Sequence, residues 1–178
     1  MQVRVYEEAV LIDHDEDPRI ETVTAELPTT VHITWKDGRA DTVELAGWLA
    51  ENRTVLGALR DPEIFVKPRS AVFDSAVEWG EPDGDLVIDA HHLRLLAMEQ
   101  RPFRADDLMA WQKRTGMSNH EASGFLNIAV STYGRWKSGE AEIPQVVAMV
   151  CRASLRDPVM IAAYFRPRRP AGRPKKAA

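Results

Sequence analysis

The run from Ser118 to Gly139, SNHEASGFLNIAVSTYGRWKSG, constrains the fold of this chain more than any other stretch. It reads as two short helices joined by a tight turn. Ser118 with Glu121 three residues on is a capping box, in which each side chain satisfies a free amide of the first turn. Phe125 and Leu126 give that helix an apolar flank. Asn127 falls where the chain must turn, and Asn is one of the few residues besides glycine that tolerates a left-handed backbone. A second helix follows, with Ile128, Thr132, Tyr133 and Trp136 at helical spacing and Gly139 as its stop. This is the spacing of a helix-turn-helix, whose second helix can enter a DNA major groove. Binding of double-stranded DNA is therefore the leading expectation.

From Phe103 to Leu155 the chain resembles the lambda-repressor and Cro family of helix-turn-helix proteins. The resemblance is carried by Leu126, Ile128, Ser131, Thr132, Arg135, Trp136 and Gly139, with Gly116 to Ser118 before and Ile143-Pro144 after. It implies a compact bundle of about five helices, with a recognition helix near Val130 to Lys137. It also implies the DNA contacts. Asn119 stands where the family usually has a Gln that anchors a phosphate or reads a base, and it keeps both a donor and an acceptor. Ser131, Thr132, Arg135 and Lys137 would contact phosphates and base edges. Ala129 and Val130 replace polar readers and can touch only a thymine methyl group. Gly134 weakens the recognition helix by roughly 1 kcal/mol relative to Ala.

Charge divides the chain at the same place. Residues 103–178 hold 13 Lys and Arg against 6 Asp and Glu, a net +7. Residues 1–102 hold the other 10 against 21, a net −11, and together they make the −4 of the whole. A basic nucleic-acid module joined to an acidic partner has this asymmetry. No apolar run reaches the roughly 20 residues a membrane helix needs, and the start, MQVRVYEEAV, does not read as a signal peptide. With a single cysteine, Cys151, set among Val146, Val147 and Val150 as a buried hydrophobe, a reducing cytoplasm is expected.

The acidic part reads as strands with some helix. VHITWKDGRADTVEL is a hairpin: Val31, Ile33 and Trp35 alternate with polar residues, Asp37-Gly38 turns, and Val43 and Leu45 return on the apolar face. Val3 and Val5, then Ile20 to Leu27, suggest two more strands. Leu56, Leu59, Ile64 and Phe65 suggest a short helical turn and a strand, started by Asp61-Pro62. Val77 and Trp79 suggest another strand, and Asp89 an N-cap for a helix through Leu93, Leu96 and Met98. From Val31 to Leu96 these residues resemble a family of small bacterial domains of unknown function. The matching residues are Trp35, Asp37, Gly38, Val43, Leu45, Leu59, Phe65, Val77, Trp79, Asp85, Leu86 and Leu93. Fusion of that domain to a repressor-like helix-turn-helix is an architecture of uncharacterised bacterial proteins, so the resemblance implies a regulator-like organisation and leaves the acidic domain's ligand unnamed.

No motif for an enzyme is visible: there is no GxSxG, phosphate-cradling glycine loop, CxxC or HExxH. The cluster Asp13-His14-Asp15-Glu16-Asp17 continues with Pro18 and Thr24 where a calcium loop needs Gly and Glu. His91 and His92 are adjacent, so they point to different faces of a helix and cannot clamp one metal. Neither a metal nor a cofactor is expected. The five tryptophans suit cores, with Trp136 packing the recognition helix near Leu108 and Trp111. The end, FRPRRPAGRPKKAA, is proline-broken and basic, and Gly172-Arg173-Pro174 resembles the core of an AT-hook.

The reading is thus an α+β chain: an acidic strand-rich domain over 1–100, an all-α lambda-repressor-like domain over 101–165, and a basic tail over 166–178. A homodimer on a two-fold operator is expected, because one helix-turn-helix reads only a short half-site. The rival is an antitoxin-like interaction module whose acidic domain binds a partner protein.

Overall fold

Alternation of apolar and polar residues builds the first sheet. The computed structural model describes residues 17–82 and 84–167. In it β1 (Ile20–Glu26), β2 (Thr30–Trp35) and β3 (Ala40–Glu44) form an antiparallel sheet in sequence order. Val31 pairs with Val43 and Ile33 with Asp41, and Gly38 at φ 80 supplies the left-handed residue the hairpin turn needs. Side chains alternate across a strand. Val31, Ile33, Trp35 and Val43 are therefore buried, while Thr22, Thr24, His32, Thr34 and Thr42 occupy the other face.

A second antiparallel sheet joins β4 (Arg69–Ser70), β5 (Ala76–Glu78) and β6 (Val87–Asp89). Between the sheets in sequence come α1 (Ala46–Glu51), α2 (Arg53–Leu56), a 3-10 turn over Gly57–Arg60 and α3 (Pro62–Phe65). Ile64 and Phe65, expected in a strand, lie in this last helical turn. Asp61 accepts the amide of Glu63 at 2.9 Å and Pro62 occupies the first helical position, where its missing N–H costs nothing. Asp89 caps α4 (Ala90–Gln100) by accepting the His92 amide at 2.9 Å.

The core of this unit is Ile20, Val31, Trp35, Leu45, Leu59, Phe65, Val77, Trp79 and Leu93 with their neighbours. Each aliphatic side chain so buried contributes roughly 1.5–3 kcal/mol. Two tryptophan N–H groups are satisfied, Trp79 by the Phe65 carbonyl at 2.9 Å and Trp35 by Asp41 at 2.7 Å. Arg94 lies 5.0 Å over the Trp35 ring and reaches Asp41 at 3.0 Å and Asp37 at 3.2 Å, tying α4 to the hairpin. Gln100 does the same at the far end. Its side-chain amide accepts from the Glu44 N–H and donates to the Glu44 carbonyl, both at 2.8 Å.

The described residues of the second unit begin at Pro102. Its described residues form α5 (Ala105–Thr115), α6 (Asn119–Phe125), α7 (Val130–Lys137), α8 (Gln145–Arg156) and α9 (Pro158–Tyr164). Strands come first and helices after, an α+β chain. Leu108, Trp111, Met117, Ala122, Tyr133, Trp136, Val147 and Cys151 make a separate core, so Trp136 does pack α7 among Leu108 and Trp111. Trp111 Nε1 donates to Ser154 Oγ at 3.0 Å, which satisfies the indole and links α5 to α8. Among the described residues no helix is long and apolar enough to cross a membrane. The proposed strand at Val3 and Val5, the acidic residues 13–16 and the tail from Arg168, including Arg173, lie outside the described residues.

Candidate nucleic-acid interface

Local chemistry fixes the pair α6 and α7. Ser118 Oγ accepts the Glu121 amide at 3.3 Å, and the Glu121 carboxylate accepts the Ser118 amide at 2.9 Å, so the capping box is complete. At the other end of α6, Asn127 takes φ 54, the left-handed backbone expected of it. The Asn127 and Ile128 amides donate back to the Gly124 and Ser123 carbonyls at 3.1 and 2.9 Å. Ile128, counted with the second helix from its spacing, precedes that helix. The left-handed turn at Asn127 and the extended backbone of Ala129 (φ −68, ψ 144) delay its start to Val130.

The turn decides which side of α7 is covered. Tyr133 and Trp136 point into the core, and Thr132 and Lys137 lie half-buried at its margin. Val130, Ser131, Gly134, Arg135 and Ser138 share the exposed side, with Ala129 exposed just ahead of them. Of the expected contact residues, the fold thus brings Ala129, Val130, Ser131 and Arg135 onto one open face. It sets Asn119 apart, exposed at the first position of α6.

Lys137 is turned toward Asn119. Its ammonium donates to Gln112 Oε1 at 2.8 Å and to Asn119 Oδ1 at 3.1 Å, and lies 5.9 Å from the centre of the Tyr133 ring. The Gln112 amide donates to Asn119 Oδ1 and to the Met117 carbonyl, each at 2.9 Å. Gln112 therefore joins α5, α6 and α7 through one side chain. With its oxygen occupied twice, Asn119 keeps its amide N–H groups as donors for a ligand. Sequence reasoning missed Gln112, whose partners lie 7 and 25 residues away and leave no local pattern. It also missed Glu140, whose Oε1 accepts from Arg135 Nε at 3.1 Å.

Two buried groups of this unit are poor candidates for chemistry. Burial pushes the Cys151 thiol up to about 12, and it pushes the Tyr133 phenol up as well. The Tyr133 hydroxyl has no hydrogen-bond partner among the described residues. In the acidic unit, the His92 ring binds Asp89 and lies 5.1 Å from the Trp48 ring, while His91 faces it edge-on. Among the described residues no group of three His, Cys, Asp or Glu is placed to hold a metal ion.

No protein-family model matches the chain, and no curated protein matches it. A similar solved structure is "Putative DNA Binding Protein NE0471" from Nitrosomonas europaea. It aligns over 77% of this chain and 86% of its own, at 22% identity and a TM-score of 0.41. A likeness at that level says nothing of what this chain binds.

Proposed function

We propose that the chain is a DNA-binding protein of the bacterial transcription-regulator kind, with α6 and α7 acting as a lambda-repressor-like helix-turn-helix. The observation that carries this reading is the open face of α7: the capping box and the left-handed Asn127 pin the helix pair, and Val130, Ser131, Gly134 and Arg135 are left uncovered. Small side chains on most of that face let a helix approach base edges closely. The net +7 of residues 103–178 supports it, since neutralising phosphates supplies most of the affinity for any duplex. Asn119, Ser131, Thr132 and Lys137 would hold phosphates, Ala129 and Val130 would meet thymine methyls, and Arg173 and its basic neighbours would follow the backbone or the minor groove. We assign the chain no reaction and place it in the cytoplasm.

A homodimer fits this reading, because two half-sites one helical turn apart, about 34–36 Å, give a two-fold operator. Exposed Val146 and Met149 on α8 and Val159 on α9 are apolar side chains that such pairing could cover. The test is selection of bound duplexes from a random-sequence pool at low salt, with Arg135→Ala as the control. Enrichment of a common site that weakens in the control supports the reading. No enrichment, and no binding of any duplex at low salt, rejects it.

One observation favours a partner protein for the acidic domain as a second function. Phe73, 83% exposed, and Asp74 both hold left-handed backbone, at φ 64 and 57. Such a conformation costs about 1–2 kcal/mol per residue. Arg19, donating to the Phe73 carbonyl at 3.0 Å, and Lys36, paired with Asp74, hold the tip in place. Aromatic side chains, Phe among them, are enriched where proteins meet, and this one stands out in solvent on a braced backbone. Capture of a basic protein by the chain, lost in Phe73→Ser, together with no DNA shift at low salt, would make the antitoxin-like role the primary one.

A further inference from the structure

The end of α7 is closed by three backbone bonds: Ser138 N–H to Gly134 C=O at 3.0 Å, Gly139 N–H to Trp136 C=O at 3.1 Å, and Glu140 N–H to Arg135 C=O at 3.0 Å. Gly139 sits at φ 74. This is the reversed helix end in which the second residue past the cap folds back over the residue three before it. An apolar contact between that pair frequently accompanies this helix end. Here it is Arg135 and Glu140, and their side chains meet, Arg135 Nε donating to Glu140 Oε1 at 3.1 Å. Both remain open to solvent, 59% and 63% exposed.

Two consequences follow from elementary chemistry. First, Nε is the inner nitrogen of the guanidinium. Holding it leaves both terminal nitrogens free, and neither has a partner among the described residues. The pair of N–H groups that remains is the fork that fits O6 and N7 of guanine in the major groove. Second, a carboxylate touching the guanidinium cancels much of its charge. Arg135 then gains little from a bare phosphate but keeps its directional bonds to a base. The rest of the open face supplies no bidentate fork of this kind, because Ala129, Val130, Ser131, Gly134 and Ser138 offer methyl contacts and two single hydroxyls.

We propose that Glu140 is a specificity-determining positioning residue: it orients Arg135 as a guanine reader and suppresses the attraction of α7 to duplexes of any sequence. This rests on the DNA-binding reading above and deepens it by naming the base that α7 reads and the residue that enforces the reading.

The test starts from the site that the full chain selects from a random pool. Affinity is measured on that site, on the same site with each guanine replaced, and on a scrambled duplex, at several salt concentrations. The unaltered chain should prefer one guanine per half-site by roughly 5- to 140-fold, the range of a good bidentate pair. Arg135→Ala and Arg135→Lys should both abolish that preference, the lysine variant without losing salt sensitivity. Glu140→Ala should shrink the preference several-fold and yet tighten binding to the scrambled duplex, with a salt slope steeper by about 0.9, one phosphate's share. In the Arg135→Ala background, Glu140→Ala should leave base preference unchanged. Glu140→Gln keeps the acceptor and the volume without the charge. It should tighten scrambled binding while retaining most of the preference, and it decides the matter if the alanine variant does not fold.

If Glu140→Ala leaves guanine preference intact, or weakens every duplex equally, the inference is wrong while the DNA-binding reading stands. If the unaltered chain binds no duplex at low salt, both fall.

Discussion

Gly134→Ala should stabilise the helical unit and weaken its hold on DNA. Gly134 lies inside α7, and a Cβ built on it meets no heavy atom within 4 Å. Its φ is not in the left-handed region, so alanine adopts the same backbone without strain. Glycine in a helix interior costs about 0.8–1 kcal/mol relative to alanine, largely through the freedom it keeps in the unfolded chain. About 1 kcal/mol corresponds to roughly fivefold slower hydrogen exchange at amides that open only with the whole unit. The Tyr133 and Trp136 amides, on the buried side of α7, are the ones to follow in the full chain. Unchanged or faster exchange would refute the reasoning, since the new methyl would then have to collide with something. The same methyl stands on the open stripe between Ser131 and Arg135, where a helix seated in a groove would be lifted away. Affinity for the selected duplex should fall several-fold while stability rises. If affinity stays constant, that stripe is not the surface that meets DNA.

Tyr133→Phe removes a buried hydroxyl that has no partner among the described residues and should stabilise the helical unit by about 1 kcal/mol, read as a higher urea midpoint; a lower midpoint would reveal a bond to that oxygen. Cys151, fully buried with its thiol pushed up to about 12, should react with a disulfide reagent at pH 8 only as urea opens the helical unit, and fast labelling of the native chain would contradict its burial. The acidic unit should lose stability as pH falls below the ordinary carboxylate range. The Arg39 amide, with Arg94 and the Arg39 side chain behind it, holds the Asp37 carboxyl below its usual 3.8. The Thr29 hydroxyl, followed by the Ala46 amide, holds that of Glu44 below its usual 4.5. Groups lowered by folding stabilise above their unfolded values and lose that contribution as acid protonates them. A urea midpoint that holds down to about pH 5, then drops as pH falls toward about 3, and drops less in Thr29→Val, is the expected pattern; a flat profile would overturn it.

Much of the fold was legible because it is written in short range. The Val31-Ile33-Trp35 alternation, Asp37-Gly38, the Ser118–Glu121 box, Asn127, Gly139 and the Asp89 cap all act within a few residues, and each does in the fold what its chemistry implies. Ile64-Phe65 misled because a bare apolar pair has no period, and the cap at Asp61 with Pro62 decided for a helical turn. Ile128 misled for the opposite reason. Its spacing to Thr132 is helical, but a left-handed residue stands just before it. In the candidate site, the exposed face of α7 could be read from the positions of Tyr133 and Trp136. Which side chains restrain its donors could not. Gln112 reaches its partners across three helices, and the Arg135–Glu140 contact exists only because the helix end folds back.

Gln100 behaves toward β3 as a borrowed strand one residue long. Its carboxamide occupies the main-chain groups of Glu44 that another polypeptide would otherwise use to zip onto that sheet. The side chain doing so is the final residue of α4, next to the point where the chain leaves the acidic unit. A fragment trimmed even one residue short of it would bare that margin and invite self-association, so the smallest well-behaved version of this unit must keep its last helical turn whole.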